Sequence, residues 1–181
     1  MRPIFTVHAG EFLVGQHIER EYKKNVWVPT KDTGIDLLVT NQENTKTISL
    51  QVKFSRDFLS IMNLPESVLE ELRSRAWFTL DREKMRHSTA NLWIFVLATF
   101  TKRPPDYVVI KPSELAKRLD ALGGASSKLI QTYILVTEHK KCWLTRGLSN
   151  AHHEAIAKNT FVDPDRDLTA HLNDWRSIRS L

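Results

Sequence analysis

Two neighbouring apolar segments near the start of the chain carry polar residues whose types could perform chemistry. The first, GIDLLV at 34–39, contains the acid Asp36, and the second, LQVKFSR at 50–56, contains Gln51 and Lys53. Successive residues of a β-strand point to opposite faces, so Gln51 and Lys53 would share one face. If the two strands pair as a hairpin, Asp36 can lie beside them. A carboxylate, an amide oxygen and an ammonium would then meet at the rim of a sheet.

These groups suit metal-dependent chemistry on a phosphate. Carboxylate and amide oxygens, together with nearby backbone carbonyls, are hard ligands of the kind that Mg²⁺ prefers. A lysine beside them can orient a water molecule or stabilise the negative charge that develops on a phosphate. The alternative interpretation is a chance pair of strands, in which Asp36 is solvated and the Lys53 ammonium extends into water.

A helix predicted over 8–24 adds a second acid. Glu11 falls near the middle of an apolar helix face, formed by Val14, Gly15, Ile18 and Tyr22. A carboxylate in that position is costly unless it is paired or binds a metal. The alternative is that Glu11 interacts with the helix dipole in the first turn. Glu19, at the edge of the same face, is the next candidate.

Three short segments carry a resemblance to a known family. GE-x-x-V (Gly10, Glu11, Val14), GIDLLV and LQVKFSR together resemble the PD-(D/E)XK nuclease superfamily, which includes type II restriction enzymes, Mrr-type enzymes and archaeal Holliday-junction resolvases. The resemblance covers residues 8–56, and the later segments match less specifically. Gln51 replaces the usual Asp or Glu, and Gly34-Ile35 stands where the family has a proline, as in the Q-x-K branch.

The resemblance implies a Mg²⁺-dependent DNA endonuclease, with Mn²⁺ able to substitute, acting in restriction, repair or a mobile element. It makes four residues catalytic: Glu11, Asp36, Gln51 and Lys53. The metal ligands would be Asp36, Gln51, the Val52 carbonyl and Glu11, while Lys53 orients the attacking water. The DNA backbone would contact Arg56, Lys31 and Lys23, each of which could equally be an ordinary surface charge. A homodimer would supply two active sites for cutting both strands.

Length and composition are those of one soluble globular domain spanning residues 1–181. The chain is 41% hydrophobic and 26% charged, and its net charge of +5 mildly favours a polyanionic partner. Its single cysteine, Cys142, excludes an intrachain disulfide and suits the reducing cytoplasm. No signal peptide is expected, because Glu11 interrupts the first apolar stretch. No membrane span is expected either, because no apolar stretch reaches the roughly 18 residues that a span needs.

Hydrophobic patterning predicts a single α/β (α+β) domain in which helices flank a central mixed β-sheet. Strands are predicted over 26–29, 35–39, 47–54, 91–100, 107–110 and 130–137. Helices are predicted over 8–24, 66–74, 114–122, 149–158 and within 168–178, with Ser113 as an N-cap. The resemblance implies that this sheet is restriction-endonuclease-like.

Two other functions compete with the nuclease. A catalytically weakened nucleic-acid-binding module is favoured by the neutral Gln51, and an interaction subunit would be favoured by a large exposed apolar patch. Trp77, in a basic segment expected to be a loop, is a candidate for stacking on bases. The histidines of the HHE sequence at 152–154 are expected to form a surface cluster without a metal.

Overall fold

The computed structural model describes residues 4–30, 34–99, 103–123 and 127–181. The protein is a mixed α/β structure in which helices flank two β-sheets. In chain order its elements are α1 (Ile4–Tyr22), β1 (Asn25–Trp27), β2 (Leu37–Thr40), β3 (Thr47–Arg56), α2 (Glu66–Leu69), β4 (Leu72–Asp81), α3 (Arg82–Arg86), β5 (Leu92–Ala98), β6 (Asp106–Ile110), α4 (Pro112–Ala121), β7 (Leu129–Thr137), β8 (Cys142–Leu144), α5 (Asn150–Ala157) and α6 (Arg176–Arg179). Two short 3₁₀ turns cover Leu59–Ile61 and Thr169–His171.

The larger sheet has five strands in the order β1-β2-β3-β5-β6, and it is mixed. β1, β2 and β3 form an antiparallel meander, β5 runs parallel to β3, and β6 returns antiparallel to β5. A parallel neighbour requires a long crossover, which the chain makes through α2, β4 and α3. The predicted central mixed sheet is therefore confirmed.

The turn between β2 and β3 is closed by one side chain. The Asn41 amide oxygen accepts hydrogen bonds from the backbone N–H groups of Thr45 and Lys46, both at 2.9 Å. Asn44 adopts a positive φ of 55°, which asparagine tolerates better than most residues. These bonds set the hairpin that brings the segments of Asp36 and Lys53 together.

The smaller sheet, β4-β7-β8, packs its inner face against the larger one. Buried aromatic rings form the contact, with Phe78 of β4 edge-to-face on Phe95 of β5 at a centroid distance of 4.8 Å. The backbones of the two sheets also touch, because Asp57 and Ala76 form an isolated antiparallel bridge just after β3. β3 is thus in contact with both sheets.

Helix α1 covers the opposite face of the larger sheet. Val14 and Ile18 are completely buried there, with α6 beside them. An aromatic cluster joins α1 to the end of the chain, since His17 stacks on Tyr107 with a centroid distance of 5.1 Å and lies 4.8 Å from Trp175. The last residues of the chain are therefore held in place by ring packing.

Part of the crossover was predicted wrongly. The helix expected over 66–74 ends at Leu69, and residues 72–81 form the ten-residue strand β4. Its inward positions include Ser74 and Ala76, which interrupt the alternation of large apolar residues that marks a strand. Trp77 accordingly lies on a strand and not in a loop.

Two smaller predictions also need correction. Helix α4 begins with Pro112 after Lys111 as N-cap, and not after Ser113, because the fixed φ of proline suits the first helical position. In the HHE sequence, His152 is exposed, but His153 is only 5% exposed, and its Nδ1 lies 2.9 Å from the Ser149 carbonyl oxygen. The pair is therefore not a surface cluster.

Two other observations concern the single cysteine and the hydrophobicity of the helices. Cys142 is fully buried, and this burial raises the pKa of its thiol well above the usual value, which fits a structural residue. No helix in the described part of the chain is both long and apolar enough to cross a membrane.

The histidines predict how stability depends on pH. Burial lowers the pKa of His17 and of His153 below 6.5, so the unfolded chain binds protons more readily than the native protein. The free energy of unfolding should therefore be highest above about pH 6.5, where these histidines are neutral in both states, and decrease as the pH falls below that value. Urea unfolding at about pH 7.5 and pH 5.5 measures the difference, and these pH values lie above the range in which carboxylates titrate.

The matched variant is His17→Phe, which keeps an aromatic ring against Tyr107 and Trp175 but cannot be protonated. We expect it to show a smaller loss of stability between the two pH values than the wild type. An unchanged loss would contradict a contribution from His17.

Candidate active site

Strand β3 places Gln51 and Lys53 on one face of the larger sheet. The opposite face of this strand, which includes Leu50, Val52 and Phe54, packs toward α1. On the other side, Gln51 and Lys53 stand next to Trp93 and Phe95, their register partners on the parallel strand β5. Both polar side chains are half-buried. One face of β3 therefore contributes to the hydrophobic core, and the other carries the half-buried polar side chains.

Asp36 is bonded to the backbone of β3 on both sides of Gln51. Its own N–H donates to the Leu50 carbonyl at 2.8 Å, and its Oδ2 accepts the N–H of Val52 at 2.6 Å. The Asp36 carboxylate thus accepts a hydrogen bond that a backbone carbonyl of the neighbouring strand would accept in a regular β-ladder. Regular pairing of β2 with β3 begins at Leu37. The carboxylate is held in one position by charge-assisted hydrogen bonding.

The Val52 carbonyl points to the same edge as Asp36. The N–H and C=O of one strand residue point to the same side of the strand, and the N–H of Val52 is directed at Asp36. Gly34, with a φ of +81°, lets the chain approach β2 in a backbone conformation that other residues avoid. An oxygen-rich edge results, formed by a carboxylate and a backbone carbonyl.

Glu11 is positioned by the closest contact between α1 and the sheet. A Cβ atom added at Gly10 would lie 2.8 Å from the Phe54 Cβ and 3.2 Å from the Val52 Cγ1. Glu11 is the next residue and is half-buried. Val52 is therefore the common neighbour: Asp36 bonds its N–H, and the turn of α1 that carries Glu11 lies against its side chain.

Lys53 has a partner that sequence reasoning did not connect with it. Its Nζ lies 5.2 Å from the centre of the Trp93 ring, a distance at which the ring attracts a cation. Trp93 is 1% exposed, and its indole N–H donates to the Ser88 hydroxyl at 2.9 Å, which fixes the ring. Trp93 is therefore a core residue whose ring also supports the ammonium of Lys53.

The basic residues expected at the DNA backbone are spread apart. Arg56 is exposed at the end of β3, with its guanidinium 5.1 Å from the Phe58 ring centre. Lys23 follows the last turn of α1, about 18 Å along the helix axis from Glu11, and faces a shallow cavity that Asn41 also lines. Lys31 lies outside the described residues. Arg56 is thus closest along the chain to Lys53.

The oxygen atoms in this region fit a hard divalent cation in type. Within the described ranges, no three His, Cys, Asp or Glu side chains are grouped so as to hold a metal. The candidate set instead contains two carboxylates, one amide and one backbone carbonyl, which is a donor set without nitrogen or sulfur. Mg²⁺ accepts such ligands and commonly keeps several waters.

Comparisons with protein-family models, with curated proteins and with solved structures gave no match. The resemblance to the PD-(D/E)XK superfamily therefore stays a prediction from the sequence motifs.

Two glycines of α1 test the contact that positions Glu11. Gly10→Ala should lower the free energy of unfolding by about 1–3 kcal/mol, because the new methyl group would overlap Phe54 and Val52. Gly15→Ala is the matched control. Its Cβ would lie 3.5 Å from the Val26 Cγ1, an ordinary contact, and alanine favours a helix over glycine by about 0.5–1 kcal/mol.

Urea unfolding of both variants measures the difference. Equal stability changes in the two variants would show that α1 does not depend on the approach at Gly10.

Proposed function

We propose that the protein is a Mg²⁺-dependent nuclease that hydrolyses phosphodiester bonds in DNA. The observation that carries this proposal is the pair of bonds that hold Asp36 against β3 on both sides of Gln51. They bring Asp36, which is distant in sequence, beside the strand that carries the amide of Gln51 and the ammonium of Lys53. The order of these residue types is the one that the superfamily resemblance implies.

In this proposal Asp36, the Val52 carbonyl and the Gln51 amide would hold the metal, with Glu11 as a further ligand. A bound Mg²⁺ would supply Lewis-acid stabilisation of the negative charge on the phosphate. Hydrolysis joins a water oxygen to phosphorus, breaks one bridging P–O bond and leaves a proton on the departing oxygen. The chain has to orient the water and stabilise the charge on the non-bridging oxygens.

Lys53 is suited to those tasks as a cation. The Trp93 ring attracts the charged ammonium and not the neutral amine, which disfavours a role as a general base. An ammonium held near the substrate can donate hydrogen bonds to a water molecule and to a phosphate oxygen. Because Trp93 is itself fixed by Ser88, the ammonium is oriented before substrate binds.

A cleavage assay tests the proposal directly. Plasmid, linear and branched DNA are incubated with Mg²⁺ or Mn²⁺ and the wild type, Asp36→Asn, Lys53→Met or Lys46→Met. We expect metal-dependent cleavage, with rates at least about 100-fold lower in the first two variants. Asp36→Asn keeps an oxygen for the Val52 N–H, and Lys46→Met changes an exposed lysine just before β3, so it should cut normally.

Two other outcomes would count against the nuclease. Cleavage that persists in Asp36→Asn and Lys53→Met would contradict the assigned site. Absence of cleavage with DNA binding intact would favour the second candidate, a non-catalytic nucleic-acid-binding module. The neutral Gln51 is the observation that favours this candidate, since it removes one negative ligand.

Gln51→Glu tests how much the neutral ligand lowers the affinity of the site for Mg²⁺. Restoring a carboxylate should lower the Mg²⁺ concentration for half-maximal cleavage by about tenfold, because affinity for hard cations rises with the charge of the ligands. Mg²⁺ titrations of the cleavage rate in wild type and variant measure the change. A higher Mg²⁺ requirement in Gln51→Glu would exclude Gln51 from the metal site.

A further inference from the structure

The outer face of the smaller sheet is only partly covered. At one end, Leu135 is fully buried beneath apolar residues of α2 and α5. At the other end the same face is open, with Trp77 38% exposed and Leu129 53% exposed. Thr79 and Gln131 between them are also exposed. A strip of sheet that includes Trp77 and Leu129 thus remains in contact with solvent.

Two guanidinium groups flank three aromatic rings in this open region. Trp77 and Tyr133 are direct partners in the β4–β7 ladder, and the Phe58 ring meets Trp77 edge-to-face at 6.4 Å. The Arg75 guanidinium lies 4.0 Å from the centre of the Tyr133 ring, and that of Arg56 lies 5.1 Å from Phe58. We call these five residues the Trp77 patch.

The positive charge of the Trp77 patch is not balanced by acids. Neither Arg56 nor Arg75 forms a salt bridge with a described residue, and the Arg75 Nε is buried without a hydrogen-bond partner among those residues. Other arginines of the same segment are paired, Arg73 with Asp106 and Arg82 with Asp120.

Two acids on the segments that carry the Trp77 patch have other partners. Asp57 accepts the backbone N–H groups of Leu59 and Arg75, and Asp81, at the far end of β4, lies 4.0 Å from the Lys128 Nζ. Burial also lowers the pKa of Arg75, as expected for a cation without a counter-ion.

We propose that the Trp77 patch binds an unpaired DNA strand, with a base stacked on Trp77 and phosphates held by Arg56 and Arg75. Proteins that bind single strands without sequence preference combine cations that follow the backbone with aromatic rings on which bases stack. Arginine also presents a flat surface that stacks on a base. The choice of DNA as the ligand rests on the proposed function, whereas the ring and charge arrangement does not.

The Trp77 patch adjoins the candidate active site through β3. The backbone N–H of Trp77 donates to the Ser55 hydroxyl at 3.1 Å, and Ser55 lies two residues, about 7 Å, beyond Lys53. Arg56 is the last residue of the same strand. The preferred substrate is accordingly DNA with an unpaired segment next to the bond that is cut.

Binding is measured by fluorescence anisotropy in EDTA, with labelled oligo(dT) of about 12 nucleotides and a duplex of the same length. We expect Trp77→Leu to weaken oligo(dT) binding by about tenfold and Trp77→Phe to retain most of it. Arg56→Gln and Arg75→Gln should each reduce the slope of log affinity against log salt concentration by about 0.7. Arg20→Gln, an exposed arginine of α1, is the charge-matched control and should bind as the wild type.

Wild-type affinity in Trp77→Leu, with its fold verified by circular dichroism, would overturn the proposal. Tighter binding of oligo(rU) than of oligo(dT), or the same loss in Arg20→Gln, would also overturn it. Because EDTA removes cleavage from the assay, the two proposals fail separately. Weaker oligo(dT) binding by Trp77→Leu, with no cleavage by the wild type, would support the Trp77 patch as a binding site and reject the nuclease. Cleavage by the wild type, with unchanged binding by Trp77→Leu, would support the nuclease and reject the patch.

Discussion

The close approach of α1 to β3 at Gly10 is the contact on which the rest of the structure depends. No side chain fits between the helix backbone and the side chains of Val52 and Phe54. This approach brings Val14 and Ile18 into the core and places Glu11 one residue from the contact with β3. The same helix holds His17, and through it the aromatic cluster with Trp175 near the end of the chain. One residue without a side chain thus connects the core, the candidate site and the terminal segment.

β3 in turn fixes the positions of the elements on either side of it. On one edge its N–H groups and carbonyls are bonded by Asp36, and on the other it pairs in parallel with β5. Just beyond its last residue, the bridge between Asp57 and Ala76 joins the chain to β4 of the smaller sheet. Groups attached to such a strand lose little freedom when a substrate binds, since backbone bonds have already fixed them. The proposed chemistry therefore depends on the sheet more than on flexible loops.

Sequence patterns were sufficient where the apolar period was clear. The helix carrying Glu11, the hairpin carrying Asp36 and Lys53, and the apolar strand β5 lie close to their predicted positions. β4 was missed because Ser74 and Ala76 occupy inward positions at which small residues fit against the other sheet.

The support of Lys53 by Trp93 could not be predicted at all. It depends on the register of two parallel strands that are distant in the chain, and local sequence does not specify that register. Arg56 and Arg75, which form no salt bridge with a described residue, also escaped prediction, because the partner of an arginine depends on contacts that exist only in the fold. Arg73 and Arg75 have similar sequence surroundings, yet only Arg73 meets an acid in the fold.

The neutral Gln51 is consistent with a site that forms before its metal binds. An acid at position 51 would put a second carboxylate beside Asp36 on β3, with Lys53 as the nearby cation, and half-buried like charges raise the free energy of the folded state. An amide removes one of those charges and keeps an oxygen for a metal. Mg²⁺ is commonly held by only one or two carboxylates together with substrate phosphates. Under the proposed function, the phosphate of the bound DNA would therefore supply the negative charge that Gln51 lacks, so that metal binding would depend on the presence of DNA.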